Sequence, residues 1–254
     1  MRNFSSVRNW ARLFLFPVRC YIVPMSHAHS HFSGYVEPVQ LSDNAIRRSI
    51  PVNGIPSMVF KRNPEWRVPD EEECRSLWDK YAMPEHIRAH SRKVADLATH
   101  LAVLLERAGA NIHVPSVLAA ALLHDLGKYY TIQNGGSHGQ IGGAWVENET
   151  RNPHIAQGVL LHVRWIWHVD ATIDEWLLSY CLIYADKRVM HDAVVTCEER
   201  YKDLLERYGH TEEARRRITA SHEQGLEIEA ALSRRLRIPL HEYTFDSGRL
   251  VKRA

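Results

Sequence analysis

The residues best suited to chemistry are a histidine and an aspartate, His124-Asp125, at the end of the apolar stretch Val117-Leu118-Ala119-Ala120-Ala121-Leu122-Leu123. Taking two ionisable groups out of water is costly unless each finds a partner. Successive helical residues point about 100° apart, so one cation beside the helix end can touch both side chains. The partial negative charge at a helix C-terminus also favours a cation there. The pair alone is equally compatible with a helix that simply surfaces, leaving Asp125 and Lys128 in water. Three further residues change the balance. His90 occupies an inward position where a leucine-type residue is expected, His162 does the same between Val159 and Ile166, and Asp186 lies on an apolar face between Leu182 and Val189. Each by itself fits a hydrogen-bonded polar group in a core. Inward His and Asp side chains on four helices, all needing partners in one core, are better explained by a shared divalent metal. Ligation by imidazole and carboxylate without cysteine suits manganese, iron, cobalt, magnesium or zinc and does not choose among them.

Other histidines compete. His86 lies four residues before His90, and helical periodicity alone cannot choose between them. His168, six residues after His162, points about 120° away around a helix and should face elsewhere. His191-Asp192 repeats the dipeptide but follows no buried apolar helix and reads as coincidence. His100, His113, His154, His210, His222 and His241 show no partner pattern and read as surface or helix-end residues.

The elements that must position these groups read as helices from Pro69 onward. An acidic first turn opens a helix over 70–81. Residues 85–107 place His90, Val94, Leu97, Leu101 and Leu104 on one stripe, ended by Gly109. Pro115 in a first turn and Gly127 at the stop bracket an all-round apolar, hence buried, helix over 115–126. Ser137 caps a helix to about Glu149, and Pro153 opens another through Ile166. Thr172 and Glu175 match a capping box for a helix to about Met190, and Thr196 and Glu199 repeat it for 196–208. A last amphipathic helix covers 211–236. No alternating strand pattern competes, so the expected fold is all-α.

Before residue 64 the chain reads differently. Seven of the 11 prolines fall before residue 70, and proline at that density breaks helices and ladders. Residues 1–63 read as an irregular N-terminal extension, 64–210 as the working domain and 211–254 as a C-terminal amphipathic helix and tail that packs on the domain or pairs with another copy. Residues 1–36 carry four arginines and no acid, which fits either an organelle transit segment or initiation further on, at Met25 or Met58. His27, His29 and His31 read as a solvated stretch.

The 254 residues carry 32 Lys+Arg against 30 Asp+Glu, a formal charge of +2, and 24% charged residues. That balance excludes a dedicated nucleic-acid coat and a wholly disordered chain. No apolar run of about 18 residues is present to span a membrane. The four cysteines are scattered with no C-x-x-C pair, which fits a reducing, cytoplasmic setting without a disulfide framework. Histidine, at 16 residues, is the outlier.

The order His90, His124-Asp125, Asp186, with the flanks Leu122-Leu123-His124-Asp125-Leu126-Gly127-Lys128 and Tyr184-Ala185-Asp186-Lys187, resembles the HD-domain superfamily of metal-dependent phosphohydrolases, whose signature is H…HD…D. The likeness covers roughly residues 70–208. It implies a helical bundle that binds one or two divalent metals and hydrolyses phosphate esters, often of nucleotides. Carried over by position, His90, His124, Asp125 and Asp186 hold the first metal. His138 and His162 resemble the additional histidines of two-metal subfamilies, with Asp125 bridging. Lys128 matches the lysine of the HDxGK motif and meets a substrate phosphate, or is an ordinary lysine near a helix end. Asp125 and Lys128 are therefore the expected catalytic residues. Two other functions stay open: a phosphodiesterase acting on a cyclic dinucleotide or RNA, and a ligand-sensing module without turnover. The clusters Arg215-Arg216-Arg217 and Arg234-Arg235 sit among glutamates and form no basic stripe, which disfavours a polynucleotide. Trp145, Trp165, Trp167 and Trp176 read as core tryptophans more readily than as a surface for stacking a base.

Overall fold

In the computed structural model the described residues are 60–246 and 248–253. The expectations for the histidines and start sites within residues 1–59 lie outside them, as does Cys20. The chain runs through nine helices and two short hairpins within these residues. Asp70 accepts from the backbone of Glu73 while Glu73 returns a bond to the Asp70 N–H, a complete capping box that starts α1 (Glu71–Lys80). The long helix α2 (Glu85–Arg107) buries His90, Val94, Leu97 and Leu101 along one stripe, and Gly109, at φ +86°, turns the chain away after it. Leu105 is buried more deeply than the expected Leu104.

Helix α3 (Val114–Leu123) is the central element. Its residues 119–123 are all buried, and it packs against α1, α2 and the later helices over 153–161 and 177–188. It stops three residues earlier than Gly127 suggests, at the His124 C-cap. The carbonyls of a last helical turn have no partner within the helix. Here Trp78 Nε1 donates to Leu122 O at 2.9 Å and His124 Nδ1 faces Ala121 O at 2.7 Å, so the turn closes on these bonds.

After the short α4 (Lys128–Asn134), Ser137 caps α5 (His138–Thr150), and Asn152 caps α6 (Pro153–Leu161) with proline in its first turn. The expected continuation of α6 to Ile166 does not form, and Ile166 is exposed. The chain instead turns Trp165 into an aromatic cluster with Trp176 and Tyr180 at ring separations of 5.4 and 5.3 Å. Burial of an indole outweighs the helical periodicity. The expected capping box at Thr172 is also absent. Both the N–H and the hydroxyl of Thr172 bond to Asp170, and the chain passes through a 3₁₀ turn (Asp174–Trp176) into α7 (Leu177–Arg188).

The hairpin β1 (Val189–Met190) with β2 (Ala193–Val194) follows, then α8 (Cys197–Tyr208), whose Thr196–Glu199 capping box does form. The 25-residue α9 (Glu212–Leu236) buries Ile228, Ala231 and Leu232 and lies along α7 and α8. A second hairpin, β3 (Tyr243–Asp246) with β4 (Arg249–Lys252), ends the described chain. These four short strands were not expected from periodicity, because two-residue and four-residue strands are too brief to show an alternation. The architecture remains helical. No helix among the described residues is long and apolar enough to cross a membrane. Cys74, Cys181 and Cys197 are buried free thiols, and burial pushes Cys74 and Cys197 up to about 12, where they stay protonated.

Candidate metal centre

Five helices and one turn deliver the ionisable side chains to one place. His90 comes from the inward stripe of α2, and Asp186 from the last turn of α7. His124 and His162 are the C-caps of α3 and α6, so each imidazole sits where a helix stops and its carbonyls end. Asp125 follows His124 directly, and His138 is the first residue of α5. His90 Nε2 lies 3.0 Å from Asp186 Oδ1 and 3.8 Å from Asp125 Oδ2. His124 Nε2 lies 3.4 Å from Asp125 Oδ2 and 3.7 Å from Asp186 Oδ1. On the other side, Asp125 Oδ1 lies 3.5 Å from His138 Nε2 and 3.8 Å from His162 Nε2, and these two imidazole nitrogens are 3.1 Å apart. The two carboxylate oxygens of Asp125 therefore face two different sets of histidines.

The orientation of three of these rings has a common cause. The Nδ1 atoms of His90, His124 and His162 lie 3.0, 2.7 and 2.6 Å from the backbone carbonyls of His191, Ala121 and Val159. Since a carbonyl only accepts, each Nδ1 must carry a proton and donate it. For the neutral ring that leaves Nε2 as the lone-pair nitrogen, and every Nε2 points inward. This is the outer arrangement that prepares histidine for metal ligation.

Buried atoms left without partners test the fit to a cation. His124 Nε2 and Asp125 Oδ1 are both buried and make no hydrogen bond. A buried polar atom left unpaired costs about 1–3 kcal/mol, and the cost here is concentrated on one imidazole nitrogen and one carboxylate oxygen facing the cluster. Two groups of three ligand atoms, His90–His124–Asp186 and His124–Asp125–His162, are each close enough to surround a single ion. The residues present fit a divalent metal.

Protonation states agree with this. Burial alone would raise the Asp125 carboxyl, but Lys128 together with His124 and His138 holds it well below the usual carboxylate range. Burial would also raise Asp186, which is partly buried, but its bond to His90 and the nearby His124 hold it well below the usual carboxylate range. Burial and the neighbouring His124 and His138 push His162 down to about 3, so that ring is neutral. Burial also lowers His138 despite the nearby Asp125. Burial opposes charge on His124 too, yet Asp125 and Asp186 raise it.

Access is one-sided. The side chains of His124, Asp125 and His162 are at most 1% exposed, whereas His138, Lys128 and Asp186 are 29%, 30% and 21% exposed and form a mouth. Lys128 Nζ reaches Asp125 Oδ2 at 2.7 Å. All seven residues expected from the sequence thus lie together. His86, one helical turn before His90, is exposed, and His168 packs against Trp176 instead.

One contributor was hidden. His191, whose dipeptide with Asp192 reads as coincidence, has an exposed side chain but supplies the carbonyl that orients His90. It sits between β1 and β2 at φ +57°, a conformation uncommon outside glycine. Backbone roles of this kind leave no trace in residue type.

The family model of the HD domain matches residues 87–238, more than half of the chain, and its span includes every residue of the cluster. No solved structure matches the chain. The chain therefore belongs to the HD domain family, the superfamily of metal-dependent phosphohydrolases.

Proposed function

We propose that the protein hydrolyses a small phosphate ester, that of a nucleotide by preference, at a centre of one or two divalent metals. The first ion is assigned to His90, His124, Asp125 and Asp186, and the second to His138, His162 and the other oxygen of Asp125. The observation that carries the reading is the pair of buried unpartnered atoms, His124 Nε2 and Asp125 Oδ1, among ionised carboxylates and inward-facing imidazoles. When bound, such ions supply an acidified water and neutralise charge developing on phosphoryl oxygens.

The chain's own residues do the rest. Asp125, ionised and fixed by Lys128, accepts a hydrogen bond from the attacking water and orients it. Lys128, half in the mouth, presents its ammonium to a substrate phosphate. Positioning and electrostatics of this kind are the main demands of phosphoryl transfer. The partly exposed mouth suits a small substrate. The basic clusters favour no polynucleotide: Arg216 pairs with Glu212 at 3.4 Å, Arg217 pairs with Glu213, and Arg235 pairs with Asp174 at 2.9 Å. The reading assigns the reaction to residues 64–210, with 211–254 buttressing them.

The test is metal analysis of the purified protein, followed by phosphate release from nucleoside mono-, di- and triphosphates and from a generic aryl phosphate with added manganese. Turnover that vanishes in Asp125→Ala while the circular dichroism stays helical is the expected result. Full activity in that variant overturns the proposal, and a folded, metal-loaded protein inert toward all these substrates supports the sensing module instead.

A further inference from the structure

Helix α5 is seated unusually close to its neighbours, and the contacts are backbone to backbone. A Cβ on Gly127 would fall 2.7 Å from both Gly142 N and His138 O. A Cβ on Gly139 would fall 2.9 Å from Leu160 O, 3.5 Å from Val159 O and 3.6 Å from Cε1 of His162. Separations below 3.0 Å to backbone cannot be relieved by a rotamer change, so a helix must move. None of these glycines has a positive φ, which leaves close approach as the reason for the residue.

What the close approach sets is the geometry of three side chains. Gly139 follows His138 in sequence and faces the last turn of α6, including Val159, whose carbonyl orients His162. Gly127 lies two residues after Asp125 and abuts the carbonyl of His138. We propose that Gly127 and Gly139 are positioning residues that assemble Asp125 Oδ1, His138 and His162 into a separable half of the metal centre. The other half depends less on this seam, since its His90 and Asp186 come from α2 and α7. An added methyl at Gly139 lifts the start of α5 from the end of α6 and widens the 3.1 Å separation of the two imidazole nitrogens, leaving the His90–His124–Asp186 group in place.

This inference rests on the two-ion reading above. The experiment titrates the full-length metal-free protein with manganese and with cobalt, reading ions per chain and, for cobalt, the visible spectrum. The wild type is expected to bind two ions. Gly139→Ala is expected to bind the first with unchanged affinity and the second about 10- to 100-fold more weakly, the usual penalty for disturbing a ligand's support, and Gly127→Ala to weaken the second by as much and the first, which shares Asp125, by less. Gly158→Ala is the control for general loosening: its Cβ meets side chains rather than backbone, Leu178 Cδ2 at 2.4 Å and Ala120 Cβ at 3.7 Å, and the variant is expected to keep both ions. Two ions at unchanged affinity in the Gly139 and Gly127 variants overturn the inference alone. A wild type that never takes more than one ion overturns the two-ion reading and the inference with it. Equal weakening of both ions, or the same loss in Gly158→Ala, shows a merely structural role and also overturns it.

Discussion

Asp125 and Lys128 form a charge pair of 2.7 Å in which the acid is almost completely buried and the base stands partly in the mouth of the cluster. The pair spans the last turn before α4 and puts the lysine on the side that solvent reaches. An ammonium fixed in this way is placed for a phosphate without reorganising.

Lys128→Met keeps the length of the side chain and removes the charge. In the proposed reaction kcat/KM falls by about 10²-fold, the scale seen when one preorganised donor to a developing charge is removed. Metal content is expected to stay the same. Assays beside metal analysis separate the two effects, and undiminished turnover would remove Lys128 from the mechanism.

Removing metal with a chelator is expected to destabilise the fold, because the carboxylates and imidazoles then face one another without a cation. An ion present at about 100 times its dissociation constant adds about 2.7 kcal/mol through mass action. For a domain of this size that corresponds to a rise in Tm of about 5–10 °C. A thermal melt with and without chelator reads it, and superimposable curves argue against an ion in the native protein.

His154 governs part of the acid sensitivity from outside the centre. Burial, with Arg62 and His113 nearby, pushes its pKa down from 6.5 to about 4, and its Nδ1 has no hydrogen-bond partner. The unfolded chain takes up the proton near pH 6.5 while the folded protein refuses it until about pH 4. Stability is therefore complete above pH 6.5 and is lost as pH falls towards 4, by about 3 kcal/mol in all. His154→Gln should flatten that part of the curve in chemical denaturation between pH 4 and 7. A slope identical to the wild type would show that the acid loss arises elsewhere.

A second buried charge pair joins α7 to α9. Glu229 accepts from Tyr184 Oη at 2.6 Å and lies 3.5 Å from Arg188, which also donates to the carbonyls of Val195 and Tyr243. Glu229→Ala leaves the Arg188 cation without its counter-ion, at a cost of about 3 kcal/mol. Glu229→Gln, which can still accept from Tyr184, is expected to cost less. Urea unfolding of the two variants measures the difference, and equal losses would assign the effect to packing rather than charge.

Much of this molecule can be read from residue order alone. Polar residues on apolar helical stripes, at His90, His124, His162 and Asp186, are legible because burying them is expensive, and capping signals at Ser137 and Thr196 are legible because they act within four residues. What only the tertiary structure decides is contact over distance. Burying His90 rather than His86, one turn apart on the same face of α2, depends on how far along that helix α7 packs. Ending α6 at Leu161 depends on Trp165 finding Trp176 and Tyr180. Aiming His90 depends on a carbonyl 101 residues away at His191, and bringing His138 to His162 depends on two glycines that let backbones touch. Local propensity acts through a residue's own neighbours, whereas packing energy and hydrogen bonding to backbone depend on partners that the chain brings together only when it folds.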